Sequence, residues 1–149
     1  MGTSTIALAN TFILKGAKEN IPLTLMKLQR LLYLLYRQYY QATGRKLFTE
    51  CFEKWKYGAV LPSVYYCFRD FGANPITRFA RNAVGAVEVL ELKHGTELYG
   101  IFTEIWERYK HFSPVYLSDM LQKENTAWSR ALNGILQDKD IMKESAEQQ

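Results

Sequence analysis

The chain has few of the residues from which proteins build metal sites and disulfide frameworks. Its 149 residues include only two cysteines, Cys51 and Cys67, and two histidines, His94 and His111. The two cysteines are too few and too far apart to indicate a zinc cluster or a set of disulfides. We therefore expect no metal and no cofactor, with both cysteines buried as small apolar residues and both histidines at the surface.

Long hydrophobic runs are also missing. The apolar stretch from Leu31 to Tyr36 ends at Arg37, far short of the roughly 20 residues that a membrane span requires. Asn10 and Lys15 interrupt the apolar N-terminal segment, which argues against a secretory signal. The 48% apolar and 14% aromatic content is typical of a folded domain. We therefore expect a cytoplasmic protein with no membrane association.

Sequence motifs that carry catalysis are absent as well. Ser63 lies in no nucleophile-elbow motif, and the spacing of Gly85, Gly95 and Gly100 matches neither a phosphate-binding loop nor a dinucleotide fingerprint. No pairing of a nucleophile with a base can be recognised. The sequence therefore predicts a protein that acts by binding and is not an enzyme.

The clearest structural signal is a helix predicted over residues 25–43. Thr24 is a suitable N-cap, and Gly44 is a suitable C-terminal stop. Apolar residues recur at helical spacing along one wide face: Leu25, Leu28, Leu32, Leu35, Tyr36 and Tyr39. A polar arc lies on the other side, with one apolar residue among its members: Lys27, Arg30, Leu34, Arg37 and Gln41. The width of the apolar face indicates that this is the central helix of the domain.

Capping residues place further helices along the chain. We predict helices over about 4–18 and 62–71, a helix after Thr96, one from Ser113 to about Lys123, and a short one after Thr126. Residues 48–58 and 84–92 fit a helix and a strand equally well. The predicted fold is mainly α: a single compact multi-helix domain over residues 1–137 around the central helix, with room for one or two short strands. Residues 138–149 read as a polar C-terminal tail that frays.

Charge is distributed unevenly between the two parts of the chain. Residues 1–82 carry 12 basic and 4 acidic side chains, whereas residues 83–149 carry 7 basic and 11 acidic side chains. Such asymmetry has two explanations that the sequence leaves open. It can steer a charged partner, or it can reflect complementarity between two halves that pack together.

Several short motifs follow one another in a distinctive order. They are Lys27-Leu28-Gln29-Arg30-Leu31-Leu32-Tyr33, Leu47-Phe48, Trp55-x-x-Gly58-Ala59-Val60, Val64-Tyr65, Leu117-Ser118 and Thr126-Ala127-Trp128. In this order and spacing, over about residues 6–130, the chain resembles the phage-associated, SocA-like proteins that carry the Panacea antitoxin domain. Three positions depart from the family pattern: Lys54 replaces a small residue, Ala59 a proline and Gln122 a histidine.

The resemblance implies an antitoxin that neutralises a protein toxin encoded next to it. Neutralisation would proceed by direct contact or by presenting the toxin to a host protease. The alternative is a phage or prophage regulator that binds nucleic acid or a host protein, because tyrosines interleave with basic residues here. We expect any nucleic-acid binding to be weak and non-specific.

We place the partner surface on the polar arc of the central helix and its neighbours, which we expect to be exposed. The candidate partner-binding residues are Lys27, Arg30, Leu34, Arg37, Gln41 and Tyr57. A second set lies in the family motifs and is expected to form the framework, with its two tryptophans buried: Trp55, Gly58, Tyr65 and Trp128.

Overall fold

The computed structural model describes residues 2–145. Within them the chain forms seven α-helices, a short 3-10 helix (Arg69–Phe71) and one antiparallel sheet of two strands. The elements are α1 (Thr5–Glu19), α2 (Leu25–Thr43), β1 (Glu53–Trp55), β2 (Gly58–Val60), α3 (Pro62–Phe68), α4 (Glu97–Tyr109), α5 (Pro114–Leu121), α6 (Ala127–Arg130) and α7 (Asp138–Lys143). The prediction of a mainly helical domain is confirmed. None of the helices in this part of the chain has the length and apolarity needed to cross a membrane.

The helix boundaries follow from local capping. The Thr24 hydroxyl accepts a hydrogen bond from the backbone N–H of Lys27 at the start of α2, and Gly44 ends the helix in the left-handed region at φ 72°. These groups satisfy backbone atoms that a helix end leaves without partners. The same device, a hydroxyl that accepts a first-turn N–H, opens four more helices, at Ser4, Thr96, Ser113 and Thr126.

Helix α2 runs through the middle of the core. It contacts α1, α3, α4, α5, α7 and β2, so other elements surround it. Leucines spaced around the whole helix are fully buried: Leu28, Leu31, Leu32, Leu34 and Leu35. A helix that is apolar on more than one side needs to be enclosed, and the predicted role as central helix is confirmed.

The segment over 48–58 contains the first strand of a tight hairpin. Glu53 pairs with Val60 and Trp55 with Gly58, so that Lys56 and Tyr57 form the two-residue turn. Residues 84–92 contain neither a helix nor a strand and form only one isolated bridge, between Arg81 and Val87.

The C-terminal residues differ from the prediction. Residues 138–143 form α7, Ile141 is almost completely buried, and Glu144 is buried as well. Over residues 138–145 the predicted tail is therefore packed against the domain, because this polar segment contributes one apolar and one acidic side chain to sites on α2. Residues 146–149 of the predicted tail lie outside the described residues.

The expected burial of the two cysteines is also wrong. Cys51 is exposed, and Cys67 is only half-buried. Both histidines lie at the surface, as expected.

Candidate functional site

The polar arc of α2 is not an exposed surface. Lys27, Arg30 and Arg37 retain only 6%, 3% and 4% of their accessible area, and Leu34 retains none. The expectation that this arc faces a partner is contradicted for these four residues. Gln41 is half-buried. Of the six candidate residues, Tyr57 is the one that is widely exposed.

The polar side chains of α2 are buried because they bind the backbone of neighbouring elements. The Lys27 ammonium donates to the carbonyl of Lys110, just beyond the end of α4. The Gln29 side chain donates to the carbonyl of Leu61 at 3.1 Å and accepts from the Leu61 N–H at 2.9 Å. Buried backbone groups need hydrogen-bond partners, and long polar side chains on a central helix supply them.

The Arg30 side chain on α2 binds the backbone of the hairpin. Its Nη1 and Nη2 donate to the carbonyls of Ala59 and Tyr57 at 2.5 and 2.6 Å, and its Nε donates to Ser118 Oγ at 3.0 Å. Burial lowers the pKa of the guanidinium to about 10, so it remains charged at neutral pH. No carboxylate forms an ion pair with Arg30 among residues 2–145. The hairpin turn therefore lies over a buried positive charge.

Gly58 belongs to the same arrangement. Its φ of 136° disfavours any residue with a side chain, and a Cβ there would come closer than 3.0 Å to the Arg30 guanidinium. The arginine of the first family motif and the glycine of the Trp-x-x-Gly motif are therefore in direct contact. This contact explains why a glycine follows the turn.

The C-terminal segment is bound by a buried carboxylate. Glu144 accepts hydrogen bonds from Arg37 at 2.6 Å, from the Tyr33 hydroxyl at 2.9 Å and from the backbone N–H of Ala127 at 2.7 Å. Burial, and then the nearby Glu144 charge, raise the pKa of Tyr33, so its hydroxyl keeps the proton that it donates. Sequence reasoning missed Glu144, because no local pattern distinguishes it from other acidic residues of the polar segment.

The remaining framework residues surround the hairpin. The Trp128 indole N–H donates to the carbonyl of Trp55 at 3.0 Å, and the Trp55 ring meets the Tyr65 ring edge-on at 4.7 Å. Gly58 is buried, but Trp55, Tyr65 and Trp128 are half-buried, so full burial is not observed for them. Their framework role stays a prediction. Gln122, which replaces the family histidine, donates to the carbonyl of Lys56 at 3.3 Å.

Aromatic and basic side chains, exposed or half-buried, lie on the hairpin, on α3 and just after α3. We call this set the hairpin surface and define it as Trp55, Lys56, Tyr57, Tyr65, Tyr66 and Arg69. The rings of Trp55, Tyr65 and Tyr66 contact one another in a row, and the Arg69 guanidinium lies over Tyr66 at 5.0 Å. Tyr57 and Tyr66 are 62% and 60% exposed. These contacts hold large side chains at the surface in defined positions.

Ion pairs between the two parts of the chain account for some of the charge asymmetry. Three ion pairs join a base from residues 1–82 to an acid from residues 83–149: Arg37 with Glu144, Arg45 with Glu97 and Lys46 with Asp138. In a fourth ion pair the base, Lys110, comes from residues 83–149 and the acid, Glu19, from residues 1–82. Complementarity between the halves is therefore present. The hairpin surface itself contains two basic residues, and the indole N–H of its Trp55 donates to the neighbouring Glu53 carboxylate at 2.9 Å.

The arrangement defines a class of protein, a compact and mainly helical domain. Residues 2–145 contain no group of three or more histidines, cysteines or acidic residues placed to hold a metal ion. The polar residues of the central helix are committed to internal contacts, whereas the hairpin surface presents tyrosines and cations to solvent.

Comparison with known proteins assigns the family. Residues 28–129 match the model of the family described as antitoxin SocA-like, Panacea domain, and the chain belongs to that family. It is 42% identical over 66 residues to antitoxin SocA of Caulobacter vibrioides (strain NA1000 / CB15N), a match that covers 44% of this chain and 35% of the relative. The matched stretch thus spans about a third of the relative's length. No solved structure matches the chain.

Proposed function

We propose that this protein is an antitoxin that neutralises a protein toxin by direct contact through the hairpin surface. The observation that carries the proposal is the exposure of Tyr57 and Tyr66 beside Lys56 and Arg69. Tyrosine, tryptophan and arginine are the residues that most often dominate the energy of protein interfaces. Family membership supports a toxin as the partner, and the exposed rings support the hairpin surface as the contact.

The hairpin surface suits this role because it is fixed before binding. Arg30 holds the turn through two carbonyls, so little conformational freedom is lost when a partner contacts Tyr57. Neutralisation then consists of covering the toxin's active surface, and it requires no cofactor and no chemical step. The toxin face that fits is acidic around an apolar centre, since the contact surface is basic and aromatic. Delivery of the bound toxin to a host protease would use a different surface.

Co-expression tests this function. The reading frame next to the gene is expressed alone and together with this protein, and growth and co-purification are measured. We expect growth arrest by the neighbour alone, rescue by co-expression, and a complex that survives size-exclusion chromatography. A harmless neighbour that does not co-purify would contradict the assignment to this partner.

Single alanine substitutions at Tyr57 and Tyr66 test the surface. Each should weaken toxin binding by about tenfold or more, because each removes a large exposed ring from the proposed contact. The free energy of unfolding should change by no more than about 0.5 kcal/mol, as is usual for exposed positions. Isothermal titration calorimetry and urea unfolding measure the two effects.

Tyr99→Ala is the matched control, because Tyr99 lies on α4 and outside the hairpin surface. It removes the same side chain and should leave the toxin affinity unchanged. If Tyr57→Ala and Tyr66→Ala both bind as the wild type does, the toxin contact lies elsewhere.

Nucleic-acid binding is the second candidate function, because aromatic rings beside cations can also stack on bases. We expect only non-specific affinity, with a Kd of about 10 µM or weaker near physiological salt. That affinity should fall steeply as salt rises, since each neutralised phosphate releases counterions. Fluorescence anisotropy with duplex and single-stranded probes measures it. Sub-micromolar, sequence-dependent binding would favour the regulator over the antitoxin.

A further inference from the structure

The C-terminal residues bind one edge of the hairpin although they lie beyond the family match at 28–129. We call residues 131–145 the C-terminal strap. Its backbone runs along the free edge of β1: the Lys54 N–H donates to the carbonyl of Gly134 at 2.7 Å, and the Leu136 N–H donates to that of Phe52 at 2.9 Å. The strap therefore forms an isolated antiparallel bridge to β1, between Ile135 and Glu53.

The strap is fastened to the central helix at its far end. Glu144 places one carboxylate oxygen on Arg37, and the other accepts from both Tyr33 and Ala127. The Gln41 side chain adds hydrogen bonds to the carbonyls of Ile141 and Glu144 at 2.8 and 2.9 Å. Helix α7 has six residues, lacks a side-chain cap and buries only Ile141. Its first residue, Asp138, accepts a hydrogen bond from the Tyr36 hydroxyl at 2.9 Å and pairs with Lys46 at 3.1 Å, so Glu144 fastens the opposite end.

The same carboxylate is connected to the hairpin by a second route. Ala127, whose N–H binds Glu144, immediately precedes Trp128. The Trp128 indole donates to the carbonyl of Trp55, and the Lys54 ammonium lies over the Trp128 ring at 4.5 Å. Glu144 thus contacts α2 and α6, and it holds the strap that pairs with β1.

We propose that Glu144 is a positioning residue that locks the C-terminal strap and, through it, the hairpin surface in the conformation that binds the toxin. The lock itself is a property of the free protein, and its effect on toxin binding rests on the proposed function. A residue that only stabilised the fold as a whole would loosen every element equally. If Glu144 is a lock, its substitution should reduce protection from hydrogen exchange only in the strap, α6 and the hairpin.

Glu144→Gln tests the lock, because glutamine keeps the shape of the side chain and removes the charge that Arg37 and Ala127 bind. Hydrogen exchange followed by NMR reports local opening. We expect exchange at the amides of Lys54 and Leu136 to become about tenfold faster or more, whereas the amide of Leu31 in α2 keeps its protection. The Trp128 indole resonance should shift. Toxin affinity, measured by calorimetry, should fall by about tenfold.

Glu124→Gln is the matched control, since Glu124 is exposed and the charge change is the same. It should alter none of these readouts. Gln41→Ala is a milder second variant for use if Glu144→Gln does not fold. It removes contacts to the strap carbonyls and leaves the ion pair between Arg37 and Glu144 in place. Exchange at the amides of Lys54 and Leu136 should therefore become faster by a smaller factor.

The outcomes separate the lock from the toxin contact. Local acceleration at Lys54 and Leu136 with weaker toxin binding supports both. Local acceleration with unchanged toxin affinity supports the lock and overturns the hairpin surface as the toxin contact. Uniform acceleration that includes Leu31, or unchanged exchange at Lys54 and Leu136, overturns the lock.

Discussion

Leu34→Glu is expected to leave the protein unfolded at room temperature. Leu34 is completely buried in α2, so the substitution deletes a core side chain and places an unpaired carboxylate in an apolar environment. Loss of the leucine alone costs about 2–5 kcal/mol, and the uncompensated polar group adds several kcal/mol. Small domains have only about 5–15 kcal/mol of stability in total. Far-UV circular dichroism and a urea titration measure the result.

Leu132→Glu is the control for this prediction. Leu132 is 93% exposed, so the same change in side chain should alter the free energy of unfolding by no more than about 0.5 kcal/mol. A Leu34→Glu protein that unfolds at the wild-type urea concentration would show that α2 has an open face after all.

Leu34 illustrates what a helical pattern can and cannot predict. The ends of α2 were predictable because Thr24 and Gly44 act on backbone groups within one turn of themselves. The surroundings of its polar arc were not. A basic residue at helical spacing has the same pattern whether it faces water or a carbonyl of another element. Here Lys27 and Arg30 bind such carbonyls.

The hairpin and the strap were hidden from sequence reasoning for related reasons. Strands β1 and β2 have three residues each, too few for a period of two to be distinguished from a helical period. Glu144 finds its Tyr33 partner 111 positions away in the chain. A contact at that separation leaves no mark on local composition, which is why residues 138–149 read as a tail.

The candidate site rests on two signals that differ in kind. Tyr57 was a candidate because tyrosines interleave with basic residues in this part of the chain, and its role in partner binding stays a prediction. The antitoxin class came from the order of the motifs and not from any physical property of the residues. Composition and periodicity alone lead only to a helical binding domain.

Gly58→Ala should cause the second large loss of stability. An alanine at φ 136° is strained, at a cost of about 1–3 kcal/mol. Its Cβ would also displace the Arg30 guanidinium, which cannot move without breaking its hydrogen bonds to Tyr57 and Ala59. Each buried group left without a partner costs a further 1–3 kcal/mol or so. We therefore expect a total loss of about 3 kcal/mol or more, measured by urea unfolding.

Gly85→Ala separates backbone strain from the clash with Arg30. Gly85 also has a positive φ, 82°, but a Cβ there meets no atom within 4 Å. Its replacement should therefore cost only the strain of the left-handed conformation, about 1–2 kcal/mol. The difference between the two variants measures the contact between Gly58 and Arg30. Equal losses would mean that the guanidinium moves aside freely, and the hairpin turn would then not depend on Arg30 for its position.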